Sequence, residues 1–140
     1  MNAVGIWFYS FDTDRYLYLM RNDSKNPNTW GLPGGKCELG ETLMQTIERE
    51  CLEELGMFPE YMRLVPLDQF TSPDGAFCYH TFFCCVVAEF QPILNSEHLG
   101  YAWINSTCFP KPIHPGLWNT INFEVVKEKI ETIKTAVLAT

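Results

Sequence analysis

The chain has 140 residues and a formal net charge of −7 at pH 7, with a pI of about 4.8. A hydrophobic fraction of 46% and an aromatic fraction of 14% are typical of an ordered globular chain, and this length predicts one domain over residues 1–140. The acidic balance disfavours nucleic acid and anionic membranes as partners. No apolar run is long enough to predict a membrane-spanning helix.

The cysteines and the N-terminal segment indicate a cellular compartment. The first fifteen residues, MNAVGIWFYSFDTDR, have neither the basic start nor the cleavage site of a signal peptide. We therefore expect a cytoplasmic protein whose six cysteines are reduced thiols. Their spacing contains no CxxC pair and no zinc-site pattern, so packing is their expected role. Adjacent Cys84 and Cys85 should point to opposite faces of one strand.

The first part of the chain predicts a hairpin followed by a loop. Residues 3–10 are rich in β-branched and aromatic side chains, which favours a strand. Residues 11–14 are typical of a turn, and residues 15–20 have the composition of the return strand. Residues 22–28, NDSKNPN, are polar and contain a proline, which indicates a loop.

A helix is predicted between Thr42, as its N-cap, and Gly56, at the position where a glycine ends a helix. Apolar residues recur every fourth position within it and predict one buried stripe: Leu43, Ile47, Cys51 and Leu55. This spacing places the helix against a core.

Three carboxylates share one patch beside that stripe. Glu50, Glu53 and Glu54 stand at i, i+3 and i+4, so they are neighbours on the helix surface. Because these three negative charges repel one another, a positive group is needed to offset the repulsion. Clustered oxygen ligands suit Mg²⁺ or Mn²⁺, and Arg49 can pair with one carboxylate from the flank.

The residues around this helix resemble the signature of Nudix hydrolases, G-x5-E-x7-R-E-U-x-E-E-x-G-U, where U is a bulky apolar residue. Residues 35–57 meet every polar and glycine position, with Gly35, Glu41, Arg49, Glu50, Glu53, Glu54 and Gly56. Cys51 replaces the usual aliphatic residue at the first apolar position. Upstream, the segment WGLPGGK at residues 30–36 resembles the approach to this box in MutT-like members.

This resemblance implies a fold and a reaction. The fold is the α/β Nudix fold, in which a mixed β-sheet is sandwiched between helices. The reaction is divalent-metal-dependent hydrolysis of the diphosphate linkage in a nucleoside diphosphate joined to another group. A (d)NTP giving a nucleoside monophosphate and pyrophosphate is the favoured substrate. ADP-ribose or another nucleotide sugar, a triphosphorylated RNA 5′ end and non-catalytic nucleotide sensing are the alternatives, and a homodimer is left open.

The resemblance also implies roles for individual residues. The implied metal ligands are Gly34, through its carbonyl, and Glu50, Glu53, Glu54 and Glu97. Arg49 orients the carboxylates, while Glu41 supports the metal site from its loop. The implied substrate-binding residues are Arg21, for phosphate, with Gly35, Lys36 and Glu41. The general base is open among Glu53, Glu54 and Glu97, because geometry decides it before pKa.

The second half of the chain begins with two predicted strands. Residues 61–71 contain Pro66, which indicates an edge strand or a bulge. Residues 72–75, Ser-Pro-Asp-Gly, predict a turn. The near-continuous hydrophobicity of residues 76–90 predicts a central strand covered on both faces. Within it, His80 is expected to be buried and hydrogen-bonded.

A loop is predicted over residues 91–100. Residues 97–103, EHLGYAW, resemble the E-H-x-E-Y-x-W stretch of some nucleotide pyrophosphatases of the family, in which a glutamate reaches the metals or acts as general base. Gly100 replaces the second glutamate, so this role falls to Glu97. His98 is expected at the surface.

The chain ends with a predicted strand and helix. Residues 103–105 predict a short strand, and Pro115 fits the first position of one last helix. Its apolar residues have a roughly helical spacing and should cover the sheet opposite the carboxylate-bearing helix: Leu117, Ile121, Val125, Ile130, Ile133 and Val137.

One further position bears on the substrate. Relatives that prefer ADP-ribose often have a proline some fifteen or sixteen residues past the box, and Pro73 lies 16 residues after Met57. The same proline also suits the hairpin turn predicted at residues 72–75, and the turn is the favoured interpretation.

Overall fold

Seven strands and three helices make up the computed structural model, which describes residues 1–138. The strands are β1 (Asn2–Ser10), β2 (Arg15–Arg21), β3 (Trp30–Gly31), β4 (Gly34–Lys36), β5 (Arg63–Thr71), β6 (Cys78–Val86) and β7 (His98–Asn105). The helices are α1 (Leu43–Leu55), α2 (Pro115–Ile121) and α3 (Glu124–Leu138). No helix among these residues is both long enough and apolar enough to cross a membrane.

The sheet is mixed, as predicted. Its order is β3-β2-β1-β6-β5, with β4 also pairing to β1 and β7 to β2. The pairing of β1 with β6 is parallel, and the other pairings are antiparallel. The prediction that residues 76–90 contain a central strand covered on both faces is confirmed by β6, which lies between β1 and β5. Phe83 and Cys85 pack on one face of it, and Cys84 and Val86 pack on the other. Its neighbour β1 is buried at every residue after its first.

Each face of the sheet carries its own hydrophobic core. On one face α1 contributes Ile47, Cys51 and Leu55, all fully buried. On the other face lie α2 and α3, whose buried residues are Leu117, Ile121, Val126, Ile130, Ile133 and Val137. Cys84 packs in the first core and Cys85 in the second, which confirms the predicted alternation. The predicted α/β sandwich is therefore confirmed.

The C-terminal prediction of one helix is wrong, because the structure has two. Helix α2 ends at Ile121, and the N–H of Asn122 donates to carbonyls of its last turn. Helix α3 starts three residues later, at Glu124, which shifts the phase of its buried face. As a result Val126 is buried, whereas Val125, the residue expected inside, is 59% exposed. Pro115 starts α2 as predicted.

Three other local predictions have clear outcomes. His80 is not buried, since it belongs to the half-buried first part of β6, and its Nε2 lies 3.2 Å from Asn2 Oδ1. The strand around Pro66 is confirmed as an edge strand with an irregular register between Pro66 and Asp68. The turn at 72–75 is confirmed by the hydrogen bond from Gly75 N to Ser72 O.

The N-terminus of α1 carries the predicted cap, and its contribution can be measured. Thr42 Oγ1 accepts from Gln45 N at 3.1 Å, and Gln45 Oε1 accepts from Thr42 N at 2.9 Å. We expect Thr42→Ala to lower the free energy of unfolding by about 1 kcal/mol, because the Oγ1 atom that accepts from Gln45 N is removed, while the backbone N–H of residue 42 is kept. Urea denaturation checks this. The control is Thr132→Ala inside α3, whose hydroxyl bonds only its own helix; an equal loss there would contradict a capping effect.

Candidate active site

Arg49 gathers the acidic side chains of α1 and the preceding loop. Its Nε donates to Glu41 Oε2 at 2.8 Å, and its Nη1 donates to Glu50 Oε1 at 2.8 Å. Nη1 also lies 3.3 Å from Glu53 Oε2, and Nη2 donates to Lys36 O at 2.9 Å. The hydrogen bonds from Arg49 lower the pKa of Glu41 to about 2. Arg49 thus supplies the positive charge that offsets the repulsion between these carboxylates.

The side chain of Glu54 contacts the backbone of Gly34 in β4 rather than Arg49. Its side chain is almost completely buried, and Gly34 N donates to Glu54 Oε1 at 3.1 Å. Burial raises the pKa of the Glu54 carboxyl to about 9. Gly34 has a φ of 147°, and a Cβ there would lie 2.0 Å from Val4 O. At Gly35 a Cβ would lie 2.6 Å from Glu50 Oε1. The absence of a side chain therefore lets Gly34 approach the backbone of β1 closely and lets Gly35 approach the carboxylate of Glu50.

A cleft of about 340 Å³ opens beside Glu54. Six of the residues predicted for the site are in its lining: Arg21, Gly34, Gly35, Lys36, Glu54 and Glu97. Four others, Glu41, Arg49, Glu50 and Glu53, form the network around Arg49 instead. The structure therefore divides the predicted residues into a cleft and a supporting cluster joined through α1.

Glu97 lies at the edge of the cleft. It is exposed, and its backbone O accepts from Asn22 N at 3.0 Å, which ties this segment to the end of β2. Burial, and with a smaller effect the charge of Glu97, raise the pKa of both Glu50 and Glu54. Glu97 lines the same cleft as Glu54, and its role as a metal ligand or general base stays a prediction.

The prediction that His98 lies at the surface is wrong. Its side chain is only 9% exposed, and Nδ1 lies 4.0 Å from Glu54 Oε2 without a hydrogen-bond partner in residues 1–138. Burial lowers the pKa of His98 to about 4. The cause is pairing: β7 starts at His98, opposite Arg21 on β2, which brings a segment expected to be a loop into the sheet.

Arg21 stands where the cleft meets a second cavity, and it lines both. Its Nε donates to Asp23 Oδ2 at 2.6 Å, and its Nη2 contacts the same oxygen. The guanidinium is therefore held at the end of β2, and its Nη1 has no hydrogen-bond partner within residues 1–138. Contact of Arg21 with a substrate phosphate stays a prediction.

The family model of the NUDIX domain matches residues 1–123. The chain belongs to this family. The Nudix fold and the enzyme class expected from the sequence, a Nudix pyrophosphohydrolase, are confirmed by this membership and by the relatives and structures that follow.

The curated relatives include enzymes that are named for triphosphates. Dihydroneopterin triphosphate diphosphatase of Haemophilus influenzae is 32% identical over 125 residues, which cover 74% of this chain and 73% of that protein. Nucleoside triphosphatase NudI of Escherichia coli is 30% identical over 104 residues, which cover 64% of this chain and 72% of that protein. Mouse nucleoside diphosphate-linked moiety X motif 6 is 32% identical over 111 residues, and the match covers 74% of this chain but only 35% of the mouse protein.

A solved structure shows the same fold. The NUDIX domain of Shewanella oneidensis NrtR, complexed with ADP ribose, matches with a TM-score of 0.73 and 18% identity, over 93% of this chain and 88% of that one. At this identity the likeness concerns the fold alone.

Nudix hydrolases generally need divalent cations, and the donor set here fits such an ion. Glu50, Glu53, Glu54 and the Gly34 carbonyl offer oxygen atoms, which hard cations prefer. The buried Glu54 carboxyl also has a raised pKa, so a cation beside it would favour its ionised form. Within residues 1–138, no three His, Cys, Asp or Glu side chains already converge as a ligand group. A bound cation would compete with Arg49 for Glu50 and Glu53.

Sequence reasoning missed Tyr79, which lines both the cleft and the second cavity. Its hydroxyl lies over Gly5 of β1, where an added Cβ would be 1.9 Å from it. A signal was available, because alternation along β6 puts Tyr79 and Thr81 on the face of Phe83. That alternation was hidden by the continuous hydrophobicity of the strand.

Proposed function

We propose that this Nudix enzyme hydrolyses a nucleoside triphosphate, or a triphosphate of similar shape, to a monophosphate and pyrophosphate in the presence of Mg²⁺ or Mn²⁺. The observation that carries the proposal is the cleft in which Glu54, Glu97 and the Gly34 loop lie beside the cationic side chains of Arg21 and Lys36. Two curated relatives named for triphosphate substrates support the same class.

The residues of the site would have separate roles in this reaction. Glu50, Glu53, Glu54, Glu97 and the Gly34 carbonyl would hold the cation. When bound, that ion neutralises phosphate charge and lowers the pKa of a water. Arg21 and Lys36 line the cleft and would attract the phosphates. Water attacks phosphorus, the phosphoanhydride bond breaks with pyrophosphate as the leaving group, and Glu53, Glu54 or Glu97 accepts the proton from water.

The alternative substrates have weaker support. Pro73 lies in the exposed turn between β5 and β6, where Ser72 Oγ donates to Asp74 Oδ1 at 2.6 Å, and this supports the turn interpretation over an ADP-ribose signal. The net charge of −7 disfavours an RNA end. A non-catalytic sensor would not need the complete carboxylate set of α1.

We expect turnover to depend on the cation. With EDTA, hydrolysis of the best substrate should fall to background, and Mg²⁺ or Mn²⁺ should restore it, because the carboxylates alone cannot neutralise a triphosphate. The measurement is release of monophosphate and pyrophosphate from a panel of (d)NTPs, dihydroneopterin triphosphate, ADP-ribose, diadenosine polyphosphates, NADH and triphosphorylated RNA. AMP with ribose 5-phosphate from ADP-ribose as the best reaction would favour the nucleotide-sugar alternative. Nucleotide binding without any turnover would favour the sensor.

A further inference from the structure

The second cavity, which we call the side cavity, has a volume of about 630 Å³ and adjoins the cleft. The two share four wall residues: Arg21, Leu32, Phe77 and Tyr79. A volume of this size is typical of a pocket that holds a small organic ligand. A triphosphate in the cleft would therefore have room for its non-phosphate end in the side cavity.

The walls of the side cavity are suited to a flat heterocycle. Aromatic and aliphatic side chains line it from the sheet, from α2 and from connecting segments. Phe70 and Tyr79 belong to strands, Leu117 belongs to α2, and the connecting segments contribute Leu32, Phe77 and Phe123. Stacking of a base on such side chains is favourable for every heterocycle, because each has a π face. Stacking alone would therefore not distinguish one base from another, and selection must come from polar groups.

Asp68 provides an unpaired charge in this apolar setting. It lies beside the irregularity in β5, is half-buried and lines the side cavity. Its carboxylate makes no hydrogen bond and no ion pair with any residue in the range 1–138. The charged arginine of the same lining, Arg21, is engaged by Asp23, and His114 Nδ1 accepts from Gly116 N. A carboxylate that lies at a cavity wall without a protein partner is available to accept hydrogen bonds from a ligand.

We infer that Asp68 is a specificity-determining residue that accepts two hydrogen bonds from the 2-amino-4-oxopyrimidine edge shared by guanine and pterin. This inference rests on the proposed function. An ionised carboxylate only accepts, and its two oxygens match the adjacent ring N–H and NH₂ of that edge. Adenine presents an NH₂ beside a ring nitrogen that accepts, so one carboxylate oxygen would face a lone pair. Asn119 also lines the cavity, has no side-chain partner within residues 1–138, and can donate to a base carbonyl.

Asp68→Asn tests the inference, because asparagine has the same shape but offers one acceptor and one donor, the pattern that suits adenine. The measurement is kcat/KM for dGTP, dihydroneopterin triphosphate and dATP, in wild type and variant. We expect the preference for the guanine or pterin substrate over dATP to fall about 10- to 100-fold, the range for lost hydrogen bonds to a charged group. Asp12→Asn, at an exposed turn position, is the matched control and should leave the ratio unchanged.

A binding measurement keeps the inference separate from the proposed reaction. Calorimetric titration of metal-free protein with dGMP, 7,8-dihydroneopterin and dAMP needs no turnover. Tighter binding of dGMP or dihydroneopterin than of dAMP, lost in Asp68→Asn, would support the inference even if no triphosphate were hydrolysed. The ligand that responds identifies guanine or pterin as the natural group. An unchanged preference in both assays would overturn the role of Asp68 and leave the hydrolase proposal standing.

Discussion

Glu53→Gln is expected to lower kcat for the best triphosphate about 10²- to 10⁴-fold, the range for loss of a proton acceptor in catalysis. The side chain of Glu53 is 52% exposed, and within residues 1–138 its ion pair is the one with Arg49 at 3.3 Å. The free energy of unfolding should therefore change by less than about 1 kcal/mol. The measurements are steady-state kinetics and urea denaturation on the same preparations.

Glu48→Gln is the matched control, because Glu48 is exposed on the same helix and has no part in the Arg49 network. It should keep full activity. A titration with Mn²⁺ then separates the two roles left open for Glu53. Recovery of kcat at high metal would indicate a ligand, and a loss that persists at saturation would indicate the proton acceptor. Near-normal turnover at low metal would contradict both roles.

Gly34→Ala is expected to lower the free energy of unfolding by at least about 3 kcal/mol and to abolish most turnover. The reason is geometric. A side chain is strained at a φ of 147°, and its Cβ would lie 2.0 Å from the backbone oxygen of Val4. The loop must then move, and the N–H that bonds Glu54 moves with it. Urea denaturation followed by circular dichroism measures the first effect, and kinetics at a temperature where the variant is folded measures the second.

Gly100→Ala separates this effect from a general sensitivity of glycines. A Cβ at Gly100 would meet open space, and its backbone is in β7 without a positive φ. The variant should therefore be at least as stable as wild type, with a gain below about 1 kcal/mol from the reduced entropy of the unfolded chain. A Gly34→Ala protein of wild-type stability would show that the loop can adopt another path.

Predictions that depended on neighbouring residues succeeded. The limits of α1 follow from Thr42 and Gly56, because caps act within one turn of the helix. The opposite burial of Cys84 and Cys85 follows from the two-residue period of a strand.

The break between α2 and α3 after Ile121 was missed. The apolar residues of the two helices are spaced closely enough to resemble the stripe of one longer helix.

The predicted burial of two histidines was wrong, because it depended on pairing with distant parts of the chain. His98 was assigned to the surface from a polar segment that resembles a loop, yet its pairing with Arg21 places it beside Glu54. His80 was assigned to the core from the hydrophobicity of its strand, yet the start of β6 is only half covered. The burial of each histidine is decided by residues that are distant from it in the sequence.

Local pattern was therefore enough to identify the family signature and the carboxylate-bearing helix, because each is encoded by residues within a few turns of one another. The mixed α/β architecture was predicted from the family resemblance that this signature carries. The contact of Gly34 with Glu54, the placement of Glu97 and His98, and the side cavity with its unpaired Asp68 were decided by the tertiary structure. These features join segments from β2, β5, β6 and α2, so they depend on strand order and register, which no single segment specifies.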